Sequence, residues 1–380
     1  MPVDAAPEAP FGPRPYYVVG HNPNTIAEVI AALDAGANGI EPDINVYADD
    51  AGALCISHGE GDAAAPTLVQ YLTDLRAVAL ARPELALVVF DCKPGAVSPA
   101  FGAEILAAVR THLTAGTDLN VIISVAGFPY ASMFDLIRDD LGPREGVMID
   151  EDNDPVAVAD YFAGLGVTNH GFGNGISVLS CGLLGPNVRP SMERACALRA
   201  ATARPSFIYV WTIDCVDLES EYIAIGVDGM ITDDPAEVRA VMARPEHVDV
   251  VRLATRADNP FRPANWTYGL TIKTADVVMG GTDANITFTL TGSLGAVSKT
   301  IDATYIKRME RGDTNYLTLQ ADDLGVLTSL TVSHDGAGNG PDWYLEWIDV
   351  DSARYDVRAR ATFGAWIEAG PAVTQPVVAR

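Results

Sequence analysis

From Tyr16 to about Met242, short apolar runs alternate with longer amphipathic stretches. The apolar runs are YYVV (from Tyr16), GIEPDI (Gly39), LALVVFD (Leu85), NVIISVA (Asn120), GVMID (Gly146), VTNHGF (Val167), SFIYVWTI (Ser206) and GMITD (Gly229). Apolar runs this short, separated by stretches of helical period, predict parallel strands covered by helices. Eight such units in roughly 230 residues suit a (β/α)8 TIM barrel better than an open doubly wound sheet. The barrel is expected over 14–244. The pattern then changes: PEHVDVVRLATRADNPFRPANW reads as a linker over 245–265. Beyond it YGLTIKTA, ANITFTLTG, NYLTLQA, LTSLTVSH and WYLEWIDV are joined by Gly, Asp and Asn turns. Alternation of this kind predicts an antiparallel β-sandwich over 266–369, followed by a tail over 370–380.

The chain of 380 residues exceeds the size at which one core usually stops growing, which agrees with two domains. Hydrophobic residues are 48% and charged residues 20% of it, too apolar for general disorder. Fifty acidic against 25 basic residues give a net charge of −25, which repels nucleic acid and anionic bilayers at long range. A cation or a zwitterionic substrate is the better partner, although acidity also serves solubility alone. No apolar run reaches the ~18 residues of a membrane span, and the start, MPVDAAPEAPFGPRP, has neither a basic n-region nor an apolar h-region. That Pro/Ala-rich start behind a lone Met suits the mature form of a secreted protein, although a cytoplasmic protein could begin in the same way. Cys55, Cys92, Cys181, Cys196 and Cys215 include no CxxC pair and allow at most two bridges, which argues against a zinc cluster or a dense disulfide scaffold.

In a TIM barrel the chemistry sits where strands end. The first strand ends in Gly20-His21-Asn22-Pro23-Asn24, placing His21 where a general acid or base belongs. Glu41 and Asp43 stand two apart in one strand and should point to the same side. Buried carboxylates that close repel, and a hard dication removes the repulsion by taking oxygen ligands. Asp91 and Lys93 repeat the spacing at the end of VVFDCK, so Asp91 completes a metal site and Lys93 offsets phosphate charge; Cys92 between them is packing. A loop could return His58, in ISHGE, to the same mouth. Trp211 offers an indole face suited to quaternary ammonium. Asp233, before the last helix, reads as a supporting residue.

These segments, VVGHNPNT, AGANGIEPDINV, ISHG, LVVFDCK, YVWTID and GVDGMITDDP, resemble the family uniting glycerophosphodiester phosphodiesterases with spider-venom and microbial sphingomyelinase D enzymes, over about Tyr16 to Arg244. The resemblance implies His21 and His58 as the catalytic pair, Glu41, Asp43 and Asp91 as ligands of one Mg2+, and Lys93 and Trp211 as substrate contacts. GHNPNT lacks the histidine-arginine-glycine opening of the glycerophosphodiesterases, and FDCK and WTID look like the sphingomyelinase D branch. The venom enzymes close the loop after their second histidine with a disulfide, and GEGDAAAPTLVQYL has no cysteine.

The region from Trp266 to Ala369 looks like a PLAT (lipoxygenase-homology) sandwich, carried by YGLTIKTADVVMGGTDANITFTLTG, RGDTNYLTL and LTSLTVSHDGAGNGPDWYLEWIDV. That resemblance implies help in reaching lipid or partners, with Ca2+ in some members; Asp283 and Asp335 match calcium-loop positions, while Met279 stands where some members have an acid. A sandwich that only stabilises or spaces the barrel is the alternative.

The expected activity is phospholipase D-type release of choline or ethanolamine from sphingomyelin or a lysophospholipid, by hydrolysis or by internal attack giving a cyclic phosphate. Rival expectations are a soluble glycerophosphodiesterase, a silent lipid- or partner-binding barrel, and a metal-free phospholipase C. The carboxylate cluster argues against the last.

Overall fold

The computed structural model describes residues 13–150, 154–175, 188–261, 267–301, 309–321 and 323–380. Cys181 and Trp266 lie outside them. The chain forms two compact units, one mainly of residues 13–263 and the other mainly of 264–380.

The first unit holds strands β1 (Arg14–His21), β2 (Gly39–Glu41), β3 (Asp43–Tyr47), β4 (Asp50–Ile56), β5 (Leu87–Cys92), β6 (Asn120–Val125), β7 (Glu145–Ile149), β8 (His170–Gly175), β9 (Phe207–Trp211), β10 (Gly229–Thr232) and β11 (Val251–Leu253). Between them run helices α1 (Ile26–Asp34), α2 (Leu68–Ala81), α3 (Pro99–Ala108), α4 (Pro155–Gly164), α5 (Arg189–Thr202), α6 (Val216–Ile225) and α7 (Pro235–Met242). The sheet closes on itself because β10 pairs in parallel with β1, and β2 and β3 together fill the position between β1 and β5. Pro42 separates β2 from β3, since it has no N–H to give a neighbouring strand. Its carbonyl still accepts from the Asp91 amide at 3.1 Å, so the two short strands keep one register. Apolar side chains of alternate residues fill the interior: Tyr17, Val19, Leu87, Val89, Ile122, Met148, Phe207, Tyr209 and Ile231. Such a barrel is a packed core rather than a pore, and polar groups appear only where the strands end.

The chain after Arg244 departs from the reading of 245–265 as a linker. Val251–Leu253 pairs with β1, and Asp258 accepts through its carbonyl from the Asn120 amide at 3.0 Å. Phe261 joins the barrel core, its ring lying against Gly146, where a Cβ would come within 2.2 Å of it. The polar composition that suggested a connection belongs to a segment covering the end of the barrel away from the strand C-termini.

The second unit is a sandwich of β12 (Thr267–Thr274), β13 (Ile286–Gly292), β14 (Gly295–Ile301), β15 (Thr314–Gln320), β16 (Leu327–His334), β17 (Trp343–Ser352), β18 (Val357–Ile367) and β19 (Val373–Ala379). One sheet runs β14-β13-β16-β19 and the other β18-β17-β12-β15. Both use β19: residues Val373 to Pro376 pair with β16, and Val377 to Ala379 pair with β18. The expected tail over 370–380 therefore contributes a strand. Trp343, Phe288, Tyr268 and Leu345 are fully buried between the sheets.

Candidate active site

The ends of β1 to β5 assemble the residues that sequence spacing singled out. His21 stands beside Glu41 in the β1–β2 register, and Asp43 beside Asp91 in that of β3–β5. The carboxylates of Glu41, Asp43 and Asp91 offer ligand atoms all within 4.8 Å of one another. Glu41 and Asp43 are buried and Asp91 is half-buried. The β3–β4 hairpin turns the chain back so that His58 follows directly, its Nδ1 3.3 Å from Asp43 Oδ2. Lys93 Nζ reaches Asp43 Oδ1 at 2.7 Å and Asp91 Oδ2 at 2.5 Å.

Burial, then the charges of Asp43 and Asp91, hold the Glu41 carboxyl well above its usual range. Burial likewise raises Asp91, against the pull of Lys93. Lys93 itself is held above its ordinary value: burial opposes its charge, but Asp91 and Asp43 outweigh it. Three carboxyls around one ammonium leave the site short of positive charge, and an all-oxygen donor set suits a hard divalent cation. The residues present therefore fit a metal such as Mg2+.

Several residues support these groups, and of them the sequence had singled out only Asp233. Asp233, after β10, places Oδ1 2.8 Å from His21 Nδ1 and so fixes the imidazole from behind. Asn22 adopts φ 52°, which asparagine tolerates. There its N–H donates to the Glu41 carboxylate at 3.2 Å and its side-chain amide lies 3.1 Å from His21 Nε2. Asn24 clasps Asp43 reciprocally: its amide donates to Oδ2 at 2.9 Å and its oxygen accepts the Asp43 N–H at 2.9 Å.

On the far side of the mouth, Trp211 Nε1 donates to Asp150 Oδ1 at 2.5 Å, and the Tyr209 hydroxyl donates to the other oxygen. Gly173 and Gly175, two apart along β8, make room for this pair. A Cβ at Gly173 would meet Asp150 Oδ1 at 2.3 Å, and one at Gly175 would meet the Trp211 indole at 2.1 Å. The run HGFGNG was the available clue, because glycines two apart put bare backbone on one side of a strand.

Asp283 and Asp335 do not bring a third ligand to one point among the described residues. Asp335 instead accepts from the Asn285 and Ala337 amides and the Asn285 side chain. Cys55 and Cys92 are buried free thiols and Cys215 is disulfide-bonded. Burial pushes the Cys92 thiol well up, which suits the packing role expected of it.

A closed parallel barrel presenting two histidines, three clustered carboxyls and a lysine at its strand ends defines a phosphodiesterase of the phospholipase D class. Residues 12–261 match the family described as Dermonecrotic toxin SPH, and residues 268–372 match the PLAT/LH2 domain. The chain belongs to the dermonecrotic toxin SPH family and carries a C-terminal PLAT domain. A Dermonecrotic toxin SPH from Ixodes scapularis is 28% identical over 288 residues, 65% of this chain and 76% of that one. Dermonecrotic toxin Hl-PLD1 from Hemiscorpius lepturus is 25% identical, covering 66% and 84%. The sandwich is 32% identical over 104 residues to Lipoxygenase homology domain-containing protein 1 of Mus musculus, and covers 5% of that protein. A solved glycerophosphodiester phosphodiesterase from Parabacteroides distasonis is 21% identical with a TM-score of 0.44, covering 61% of this chain and 98% of that one.

Proposed function

We propose that the protein is a secreted, Mg2+-dependent phospholipase D that releases choline or ethanolamine from sphingomyelin or a lysophospholipid. The observation carrying this reading is the convergence of Glu41, Asp43 and Asp91 within 4.8 Å at the mouth that also holds both histidines. Mg2+ held by the three carboxylates would supply charge stabilisation at the phosphodiester. Lys93 adds an ammonium beside them. One histidine takes the proton of the attacking oxygen and the other gives a proton to the departing alcohol. Asp233 keeps the His21 ring aimed, while His58, with 67% of its side chain exposed, has room to turn toward a substrate. The attacker is water or a hydroxyl of the lipid; both need the same groups. Across the mouth, the Trp211 indole, fixed by Asp150, presents a face that attracts a quaternary ammonium headgroup.

The sandwich meets the lipid surface through one loop tip. Val278 and Met279 are 74% and 77% exposed, and the loop is tied to β17 where the Tyr344 N–H donates to the Gly280 carbonyl. Tyr344 stacks edge-on against the half-exposed Trp366, which extends the apolar tip. Calcium is not needed for this reading. No helix among the described residues is long and apolar enough to cross a membrane.

The test is headgroup release from sphingomyelin, lysophosphatidylcholine, lysophosphatidylethanolamine and glycerophosphocholine in Mg2+ and in EDTA. Free choline or ethanolamine from a lipid in Mg2+, lost in EDTA, is expected. Release from glycerophosphocholine alone would make the protein a glycerophosphodiesterase, and phosphocholine as product would overturn the cleavage side. Lipid binding without turnover would support the silent-barrel reading.

A further inference from the structure

Near the loop that carries Asp233 lies a group of carboxyls with no part in the site above. Glu219, in the first turn of α6, is fully buried, and among the described residues no N–H or O–H of another kind of group reaches its oxygens. It meets another carboxyl instead, hydrogen-bonding Glu237 in the first turn of α7, against which α6 packs. Asp214, from the turn after β9, and Asp234, from the turn after β10, also act on it. All of these are acidic. Two carboxylates cannot hydrogen-bond each other, whereas a carboxylic acid donates to a carboxylate. A cation could also relieve such a pair. A proton held between the two carboxyls is the link that needs no third ligand. Burial first, then the charge of Glu237, pushes the Glu219 carboxyl up to about 8.

Backbone and side-chain hydrogen bonds tie the first turn of α7, which carries Glu237, to His21. The Glu237 N–H donates to Asp234 Oδ1 at 3.1 Å, and the Asp234 N–H to the Thr232 hydroxyl at 3.0 Å. That hydroxyl donates to Asp214 Oδ1 at 2.7 Å, which also accepts the Asp233 N–H at 2.7 Å. Asp233 in turn holds His21 Nδ1 at 2.8 Å.

We propose that Glu219 and Glu237 share one proton and act as a positioning pair, holding the first turns of α6 and α7 together behind the loop that presents Asp233 to His21. Loss of the proton in mildly alkaline solution makes both groups anionic, separates the helix starts and slackens that loop. The coupling to turnover rests on the catalytic reading of His21; the shared proton does not. A carboxyl raised in the folded state stabilises fully below its unfolded value, and that contribution is lost as pH rises through about 8.

The experiment compares wild type with Glu219→Gln and Glu237→Gln, in which an amide donor keeps the hydrogen bond without a titrating proton. Thermal midpoints are read in saturating Mg2+ from pH 6 to 9.5, with kcat/KM for lysophosphatidylcholine over the same range. The wild-type midpoint is expected to fall by about 5 °C or more across the range, and either variant to fall by less than half as much. The ratio of kcat/KM at pH 9 to that at pH 6 is expected to rise about threefold in the variants. Parallel midpoint curves in all three proteins would overturn the shared proton. Diverging midpoints with unchanged ratios would overturn the positioning role. If one variant does not fold, the other carries the comparison, since either amide removes the shared proton. Retained turnover in His21→Ala would overturn the coupling to catalysis, and the midpoints would still decide the proton.

Discussion

Glu41→Gln separates the cost of the carboxylate group from its use. The ligand atoms of Glu41, Asp43 and Asp91 lie within 4.8 Å, and two unit charges at that distance repel by about 3.5 kcal/mol at an effective dielectric near 20. Lys93, 2.5 to 2.7 Å from Asp91 and Asp43, offsets part of this, and partial protonation of Glu41 relieves more. What remains is a gain of about 1–2 kcal/mol for the metal-free Glu41→Gln protein, or about 2–8 °C in Tm for a unit of this size. Mg2+ should reverse the order. An ion at 100 times its Kd stabilises the wild type by about 2.7 kcal/mol, and the variant, having lost a ligand, gains much less. The assay is scanning calorimetry in EDTA and in a Mg2+ series, with headgroup release alongside. In EDTA the wild-type Tm should also fall as pH rises, because Glu41 is raised in the folded state. Its contribution is complete below the ordinary carboxylate range and lost as pH climbs through the raised value. The slope contributed by Glu41 should vanish in the variant. If Glu41→Gln lowers the metal-free Tm, or if Mg2+ leaves the wild-type Tm unmoved, the group is not a strained ion site and the reasoning fails.

Three further outcomes follow from the geometry. His21→Ala and His58→Ala should each cut headgroup release by about 100- to 10,000-fold with the circular dichroism spectrum unchanged, and near-normal turnover in either would exclude the two-histidine chemistry. Asp150→Ala leaves the buried Tyr209 hydroxyl and the Trp211 N–H without their acceptor, at a cost of about 2–4 kcal/mol by denaturant titration, and should raise KM for choline lipids; an unchanged KM would remove Trp211 from headgroup binding. Val278→Asp with Met279→Asp should reduce sedimentation with phosphatidylcholine vesicles by at least about tenfold while leaving kcat/KM for a monomeric short-chain substrate intact, and equal sedimentation would dismiss the loop tip as the lipid contact.

Strand and helix placement, and the change from barrel to sandwich, were legible because periodicity reports which residues are buried. The i, i+2 spacings of Glu41 with Asp43 and of Asp91 with Lys93 likewise announced groups on one side of a strand. The segment Val251–Leu253 was not legible: its three residues, with a charged Arg252 at the centre, become a strand only because the edge of β1 accepts them. The same holds for Val373–Ala379, whose proline and alternating exposure make sense only as a strand passing from one sheet to the other.

The sequence by itself determined the order of elements and the identities of the groups at the strand ends, because both depend on local spacing. Only the tertiary structure decided which of those groups meet. Barrel closure brings Asp233 to His21 across 212 residues, sets Asp150 under Tyr209 and Trp211, and returns His58 to Asp43 by a hairpin. It also faces Glu219 with Glu237. Each of these contacts depends on the register of neighbouring strands and on helix packing, which have no counterpart in the spacing of residues along the chain.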